Sequence, residues 1–150
     1  MGVGLTAREP RLRQLLDEAR VVAVVGISSE PSRPSYGVAS YLQEHGYRIV
    51  PVNPNETEVL GERAYASLLD IPRELQVDLV DVFRRPEHTP EVARQAVAIA
   101  ARLLWLQEGI VNEEAARIAT EGGLEVIMGV CIRHVHARLL DEDREEWTEG

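Results

Sequence analysis

A chain of 150 residues with 45% hydrophobic and 27% charged residues has the length and composition of one soluble globular domain with a sizeable core. Its formal net charge of −9 argues against nucleic acid or an anionic membrane as the main partner, and no apolar run approaches the ~18 residues that a membrane-spanning helix needs. Since the N-terminus also lacks a signal-peptide core, we expect a cytoplasmic protein, and the single cysteine excludes an intrachain disulfide and a cysteine-cluster metal site.

The basic residues are of one kind. All sixteen are arginine, and the chain contains no lysine. This excludes a P-loop, a Schiff-base lysine and the Tyr/Lys proton relay of short-chain dehydrogenases. Any side-chain cation that binds a phosphate in this protein must therefore be an arginine.

Apolar runs and helical patterns alternate along the chain. The predicted strands cover Val21–Val25, Arg48–Val52, Asp78–Phe83, Arg102–Gln107 and Glu125–Val130. The predicted helices cover Arg11–Ala19, Ser35–His45, Thr89–Ala100 and Asn112–Glu121, with a short turn near Tyr65–Leu69. Strands that are apolar on both faces belong in a parallel sheet with helices on each side.

We therefore predict an α/β fold, a single Rossmann-like doubly wound domain over residues 1–150. It has about five parallel strands in the order 3-2-1-4-5 and helices on both faces. Its core extends from about residue 12 to residue 140. The last residues, 141–150, are predicted to form a solvated acidic tail.

The end of the first strand is the first candidate site. Val21–Val25 runs into Gly26, a serine-rich loop and a helix, and backbone N–H groups at a helix N-terminus bind phosphate. We expect these groups and the Ser28 hydroxyl to hold a phosphate, with Arg33 reaching an outer oxygen. The structural alternatives are that Ser28 is a plain turn residue and that Arg33 is a solvated surface arginine.

The end of the second strand discriminates between nucleotides. An NAD site has a G-x-G-x-x-G loop and an acid about 20 residues further on, which binds the ribose hydroxyls. This chain has Gly-x-Ser in the loop and no acid after the second strand until Glu56. The nucleotide is then held differently, or it is not NAD. Val52 and Pro54 would offer an apolar edge to an adenine, and Asn53 and Asn55 would offer hydrogen bonds. The structural alternative is a loop rich in turn-forming residues.

Motifs at successive strand ends resemble those of a known family. They are G-x-S-x-x-x-x-R-P-S, V-x-V-N-P, V-D-V-F-R, W-x-Q-x-G and a final cysteine, in this order along the chain. Over residues 12–140 the pattern resembles the CoA-binding domain family, small stand-alone relatives of the N-terminal domain of the succinyl-CoA synthetase α subunit. The synthetase's phosphorylated histidine belongs to a second domain, so the resemblance does not imply ligase chemistry.

The resemblance implies a pocket for coenzyme A (CoA) or an acyl-CoA at the strand ends. By matching position, the loop residues would face the pyrophosphate, the second strand end the adenosine, and the later strand ends the pantetheine arm and thiol. The implied residues are Gly26, Ile27, Ser28, Arg33, Ser35, Val52, Asn53, Pro54, Phe83, Arg84, Gln107, Gly109 and Cys131. The thiol of Cys131 would lie at the rim, where a mixed disulfide with CoA is possible; a small buried hydrophobic residue is the alternative.

The favoured function is non-catalytic binding of CoA or a short acyl-CoA by a carrier, a sensor or the partner of another protein. No catalytic constellation and no metal site is recognised; His134 and His136 would share one face of a strand, but they lack a third ligand. The alternatives are a small NAD(P)-dependent oxidoreductase or an acyl-CoA-handling enzyme subunit, and, last, an NAD(H) redox sensor. The acyl group, the protein partner and the oligomeric state stay open.

Overall fold

The computed structural model describes residues 4–5 and 9–149, with side chains from residue 9 to residue 143. Eight strands are present in the described residues: β1 (Gly4–Leu5), β2 (Val21–Val25), β3 (Arg48–Val52), β4 (Glu58–Val59), β5 (Glu62–Arg63), β6 (Leu79–Val82), β7 (Leu103–Leu106) and β8 (Glu125–Met128). The α-helices are α1 (Glu9–Glu18), α2 (Pro34–Glu44), α3 (Thr89–Ala98), α4 (Glu113–Glu121) and α5 (Ile132–Glu149). Short 3₁₀ helices cover Leu68–Asp70 and Pro86–His88.

The predicted α/β class is confirmed, with all five predicted strands parallel in one sheet flanked by helices. The predicted strand order is wrong. The sheet runs β1-β8-β7-β6-β2-β3, which is 2-1-3-4-5 when the five predicted strands are counted along the chain. The physical reason is Pro51, which has no N–H and is tolerated on an edge strand but not in the middle of a sheet. Its carbonyl accepts from Tyr65 N–H on the outer side of β3.

Three features of the structure are absent from the sequence prediction. β1 pairs antiparallel with β8 and gives the sheet a sixth strand. β4 and β5 form a small hairpin of their own, whose turn has positive φ at Leu60 and Gly61. The third feature is α5: it follows β8 directly and continues through residues 141–149, which the sequence prediction describes as an acidic tail.

Helix α5 packs back onto the rest of the molecule. Arg13 of α1 forms ion pairs with Glu142 and Asp143. On the helix, two residues apart means opposite directions, so His134 and His136 do not share a face. His136 Nδ1 lies 2.8 Å from the Tyr41 hydroxyl of α2.

The sheet has an apolar core on each face. On one face α1, α2 and α5 pack against alternate strand residues such as Val22, Val24 and Trp105. On the other face α3 and α4 pack against the intervening residues, such as Ala23 and Val25. Burial on both faces explains why these strands are continuous apolar runs. Among the described residues no helix is long and apolar enough to cross a membrane.

Candidate functional site

A cavity of about 540 Å³ lies at the carboxyl ends of the neighbouring strands β2, β3 and β6. β2 and β6 are the strands between which the direction of chain winding reverses, and α/β proteins bind ligands at this switch point. Six residues predicted for the site line the cavity: Gly26, Val52, Asn53, Pro54, Phe83 and Arg84. Because β6 pairs in parallel with β2, the carboxyl ends of these two strands lie next to each other.

Gly26 is the point at which these strand ends come into contact. Its φ is +87°, and a Cβ built on it would lie 2.3 Å from the carbonyl oxygen of Phe83 and 3.2 Å from Arg84 Cδ. Its N–H donates to the carbonyl of Val52 at 2.8 Å. A residue with a side chain would therefore be excluded both by backbone conformation and by space. The glycine lets the loop turn away from β2 while it stays against β6.

The loop after Gly26 is organised by side-chain oxygens. Ser28 N–H donates to the Ser35 hydroxyl at 3.0 Å, and Glu30 N–H donates to the Ser28 hydroxyl at the same distance. Ser29 N–H donates to the carboxylate of Glu56 at 2.7 Å. Three consecutive loop N–H groups thus have acceptors from the chain itself, which the sequence did not indicate.

The second strand end is joined to this loop. The side-chain amide of Asn53 donates to the carbonyl of Ile27 at 2.8 Å, and Asn53 Oδ1 accepts from Asn55 N–H at 2.9 Å. Asn53 therefore fixes the position of its own loop against the loop after β2. Its amide group is used for structure here, while the neighbouring Pro54 and Asn55 are exposed at the cavity.

The described arginines fall into two groups, those with and those without a carboxylate partner. Six described arginines form ion pairs with carboxylates: Arg11, Arg13, Arg94, Arg102, Arg117 and Arg138. Within the described part of the chain no ion pair is formed by Arg33, Arg84 or Arg85 at this edge of the sheet, and the same holds for five arginines elsewhere: Arg20, Arg48, Arg63, Arg73 and Arg133. Arg84 is half-buried and lines the cavity, while Arg33 and Arg85 are exposed. Arg84 thus places a guanidinium group without a carboxylate partner in the wall of a cavity that Glu87 and Glu91 also line, and such a group can bind an anion.

A second cavity of about 250 Å³ lies at the ends of β7 and β8, and it contains Cys131. Two hydrogen bonds fix this region: Trp105 Nε1 donates to the carbonyl of Val130 at 2.9 Å, and Ile132 N–H donates to Gln107 Oε1 at 3.2 Å. Cys131 is partly exposed at the start of α5. Its neighbours at the cavity include His134 and Arg138.

The other predicted site residues differ in how far they are exposed to a ligand. Ile27 is fully buried in the core, so only its backbone faces the loop. Gln107 is 3% exposed and caps the first turn of α5, whereas Gly109 is exposed in the turn after β7. Ser35 is buried beneath the loop and Arg33 precedes α2 at its surface. Sequence reasoning did not assign a site role to several lining residues of the first cavity: Ser67, Glu87, His88, Glu91 and Gln95.

A buried carboxyl lies in the sheet near the site. Asp81 of β6 is fully buried, two residues before Phe83, and neither of its oxygens has a hydrogen-bond partner among the described residues. Burial raises the pKa of Asp81 well above its ordinary value because the charged form is desolvated. The group is therefore protonated over a wider pH range than an exposed aspartate. Across the described residues, no cluster of three or more His, Cys, Asp or Glu side chains is placed to hold a metal ion.

The fold and the cavity at the switch point define an α/β domain of the Rossmann-like class, in which nucleotide ligands bind at the strand ends. Residues 20–137 match the model of the CoA binding domain, so the chain belongs to the CoA-binding domain family. The resemblance found in the strand-end motifs is thus confirmed.

Proteins similar to this chain are of two sizes. An uncharacterized protein of Bacillus subtilis, YneT, is 42% identical over 126 residues, which cover 84% of this chain and 92% of that protein. The acetate–CoA ligase (ADP-forming) II of Archaeoglobus fulgidus is 31% identical over 127 residues. These cover 78% of this chain but only 19% of the ligase.

Solved structures include similar proteins of about the length of this chain. A hypothetical protein from Pyrococcus horikoshii superposes with a TM-score of 0.85 at 38% identity and covers 90% of this chain and 94% of its own. A chain from Thermus thermophilus gives a TM-score of 0.84 at 39% identity and covers 89% of this chain and 99% of its own. The family domain therefore also exists in proteins of about this length.

Proposed function

We propose that the protein binds CoA or a short acyl-CoA at the carboxyl edge of its sheet without catalysing a reaction on it. It would act as a carrier, a sensor or the partner of another protein. Membership of the CoA-binding domain family supports the ligand. The observation that carries the proposal for this chain is the cavity at the switch point, with Arg84 in its wall.

The charge distribution suits a ligand with several phosphates. CoA carries a pyrophosphate and a 3′-phosphate, and guanidinium groups bind phosphate oxygens through two parallel hydrogen bonds. Arg84 lies at the cavity wall beside Gly26, and Arg33 lies at the start of α2. We assign both to the phosphates. Val52 and Pro54 would contact the adenine, and Phe83 the adenine or the start of the pantetheine arm.

We assign the second cavity to the thiol end of the ligand. It follows the first cavity along the same edge of the sheet, from the ends of β2 and β6 to those of β7 and β8. The turn at Gly109 and the partly exposed Cys131 lie there. An extended ligand bound with its nucleotide in the first cavity would place its arm in this direction.

The test is a calorimetric titration of the purified protein with CoA, 3′-dephospho-CoA and NAD(H). We expect CoA to bind and NAD(H) to give no heat. Tight binding of NAD(H) without binding of CoA would overturn the proposal and favour the oxidoreductase alternative. Addition of an acyl-CoA in the same series shows whether the acyl group increases affinity.

A matched pair of variants tests the site. Arg33→Ala removes an unpaired arginine at the site, and we expect it to weaken CoA binding by about 1–3 kcal/mol, the scale of a lost charge-assisted hydrogen bond. Arg117→Ala removes the same charge from α4, where the arginine pairs with Glu121, and should leave affinity unchanged. Equal effects of both substitutions would remove Arg33 from the site.

A further inference from the structure

The carboxylate of Glu56 occupies a position that a ligand phosphate would use. Its Oε2 accepts from Ser29 N–H at 2.7 Å, in the middle of the loop to which we assign the pyrophosphate. The other two loop acceptors are the hydroxyls of Ser28 and Ser35, which are neutral and can also donate. Glu56 is therefore the only charged acceptor among these three contacts.

Glu56 reaches the loop from a different part of the chain. It lies 27 residues after Ser29, between β3 and the β4–β5 hairpin, and it is partly exposed. It forms no ion pair with the arginines of this edge or with any other described residue. The carboxylate therefore binds a backbone N–H of the loop and not a guanidinium group.

The backbone around Glu56 does not depend on this contact. Asn53 holds the start of the segment through its bonds to Ile27 and Asn55, and Glu56 N–H donates to the Asn53 carbonyl at 3.2 Å. The other side is held by the hairpin, where Ala64 N–H donates to the carbonyl of Thr57 at 2.9 Å. A rotation of the Glu56 side chain is therefore enough to free Ser29 N–H.

We propose that Glu56 is an internal competitor for the phosphate position at Ser29. Its carboxylate fills this position when the site is empty and leaves it when a ligand phosphate binds, because two anions cannot share one N–H at this distance. The inference rests on the proposed phosphate-binding role of the loop. Glu56 then lowers the affinity of the site for every phosphate ligand and selects ligands that can displace it.

The experiment measures binding of inorganic pyrophosphate, ADP and CoA to the wild type, Glu56→Gln and Glu58→Gln. Glutamine has the same shape as glutamate and keeps an acceptor, but it removes the charge. We expect Glu56→Gln to bind each of the three probes about tenfold more tightly, the order of a charge-assisted bond that need not be broken. Glu58→Gln makes the same change of net charge on exposed β4 and should change affinity less than about twofold.

Every outcome decides a question. Equal binding of the probes by Glu56→Gln overturns the inference, and weaker binding overturns it and shows that Glu56 instead supports the loop in the bound form. A gain for pyrophosphate and ADP without any binding of CoA by either protein supports the competitor but overturns the proposed ligand. Binding of CoA by the wild type with no gain in the variant keeps the proposed function and removes only the inference.

Amide NMR gives a second measurement that does not require CoA. Without a ligand the Ser29 amide resonance should differ between the wild type and Glu56→Gln, because the charged acceptor is replaced by a neutral one. Addition of pyrophosphate should make the two resonances alike, because the side chain at position 56 has left the amide in both proteins. A difference that persists with pyrophosphate bound would contradict displacement.

Discussion

The two ends of β2 use the same chemical contact in different settings. At the amino end, Asp78 accepts from the N–H groups of Arg20 and Val21 at 2.8 and 3.0 Å. At the carboxyl end, Glu56 accepts from Ser29 N–H at 2.7 Å. Both carboxylates accept hydrogen bonds from backbone N–H groups near the ends of β2. Only Asp78 also takes part in the backbone hydrogen bonding of the sheet.

Asp78 belongs to the strand connections themselves. Its own N–H donates to the carbonyl of Val21 at 3.0 Å and its carbonyl accepts from Arg102 N–H at 2.9 Å, so it continues the ladder of β6 on both sides. Nearby, Arg102 has an acidic partner in Glu18. At the amino end, two backbone donors and Arg102 thus have carboxylate partners. At the carboxyl end the acid comes from a neighbouring loop, and Arg84 lines a cavity without an ion-pair partner among the described residues.

The largest predicted effect concerns the carboxyl that lies between these two ends. Asp81 has no donor among the described residues, in contrast to Asp78 and Glu56. Burial raises the pKa of Asp81 in the folded protein above the unfolded value of 3.8. As the pH rises, the Asp81 carboxyl therefore loses its proton at a lower pH in the unfolded chain than in the folded protein. The stability due to Asp81 is therefore present at low pH and is lost between pH 3.8 and the higher pKa of the folded state.

We expect Asp81→Asn, which cannot ionise, to be more stable than the wild type at neutral pH, with an advantage that shrinks toward acidic pH. Urea unfolding of both proteins at about pH 4, pH 6 and pH 8 measures the difference, in which the titration of all other groups cancels. A variant that is less stable at every pH would contradict this expectation and would mean that the buried amide costs more than the buried carboxyl.

The next largest effect is expected from a substitution at the carboxyl end of β2. Gly26→Ala adds a Cβ that would meet the Phe83 carbonyl at 2.3 Å in a residue with φ +87°. We expect a loss of about 2–4 kcal/mol in the free energy of unfolding, because backbone strain and overpacking add. Gly46→Ala is the control, since its φ is +93° but a Cβ there meets nothing within 4 Å; about 1 kcal/mol is expected. Equal losses, measured by denaturant unfolding, would mean that the contact with Phe83 does not constrain the loop.

Much of the fold was predictable because it depends on local patterns. Continuous apolar runs indicated the five parallel strands, and the bounds of Val21–Val25 and Arg48–Val52 agree with the structure. The order of the strands was not assigned correctly, although Pro51 carried the signal for an edge strand. The polar residues of helix α5 indicate a solvated tail when only the sequence is considered, because the pairing of Glu142 and Asp143 with Arg13 joins residues that are far apart in the chain.

The site was predictable to the level of strand ends. The motifs placed Gly26, Asn53, Phe83 and Arg84 at the ends of strands, and the topology brought those ends together at one cavity. The contact of Glu56 with Ser29 had no sequence signal, because it depends on the path of the chain between β3 and the hairpin. The same holds for the hydroxyl of Ser35 on Ser28 N–H, since a serine at a helix start has several possible partners.

The smallest effect tests the comparison between the two ends directly. Asp78→Ala leaves two backbone N–H groups without their acceptor and should lower the free energy of unfolding by about 1–3 kcal/mol. Glu56→Ala leaves one N–H at a partly exposed loop, where water replaces the carboxylate, so we expect a change below about 0.5 kcal/mol. Asp78→Asn, which keeps one acceptor oxygen, should recover part of the loss.

Denaturant unfolding of the three variants under identical conditions measures these differences. A cost for Glu56→Ala as large as that for Asp78→Ala would mean that both carboxylates are structural. A small cost for Glu56→Ala together with tighter binding of pyrophosphate would separate the two roles. It would show that the same contact stabilises the sheet at one end of β2 and only occupies a binding position at the other.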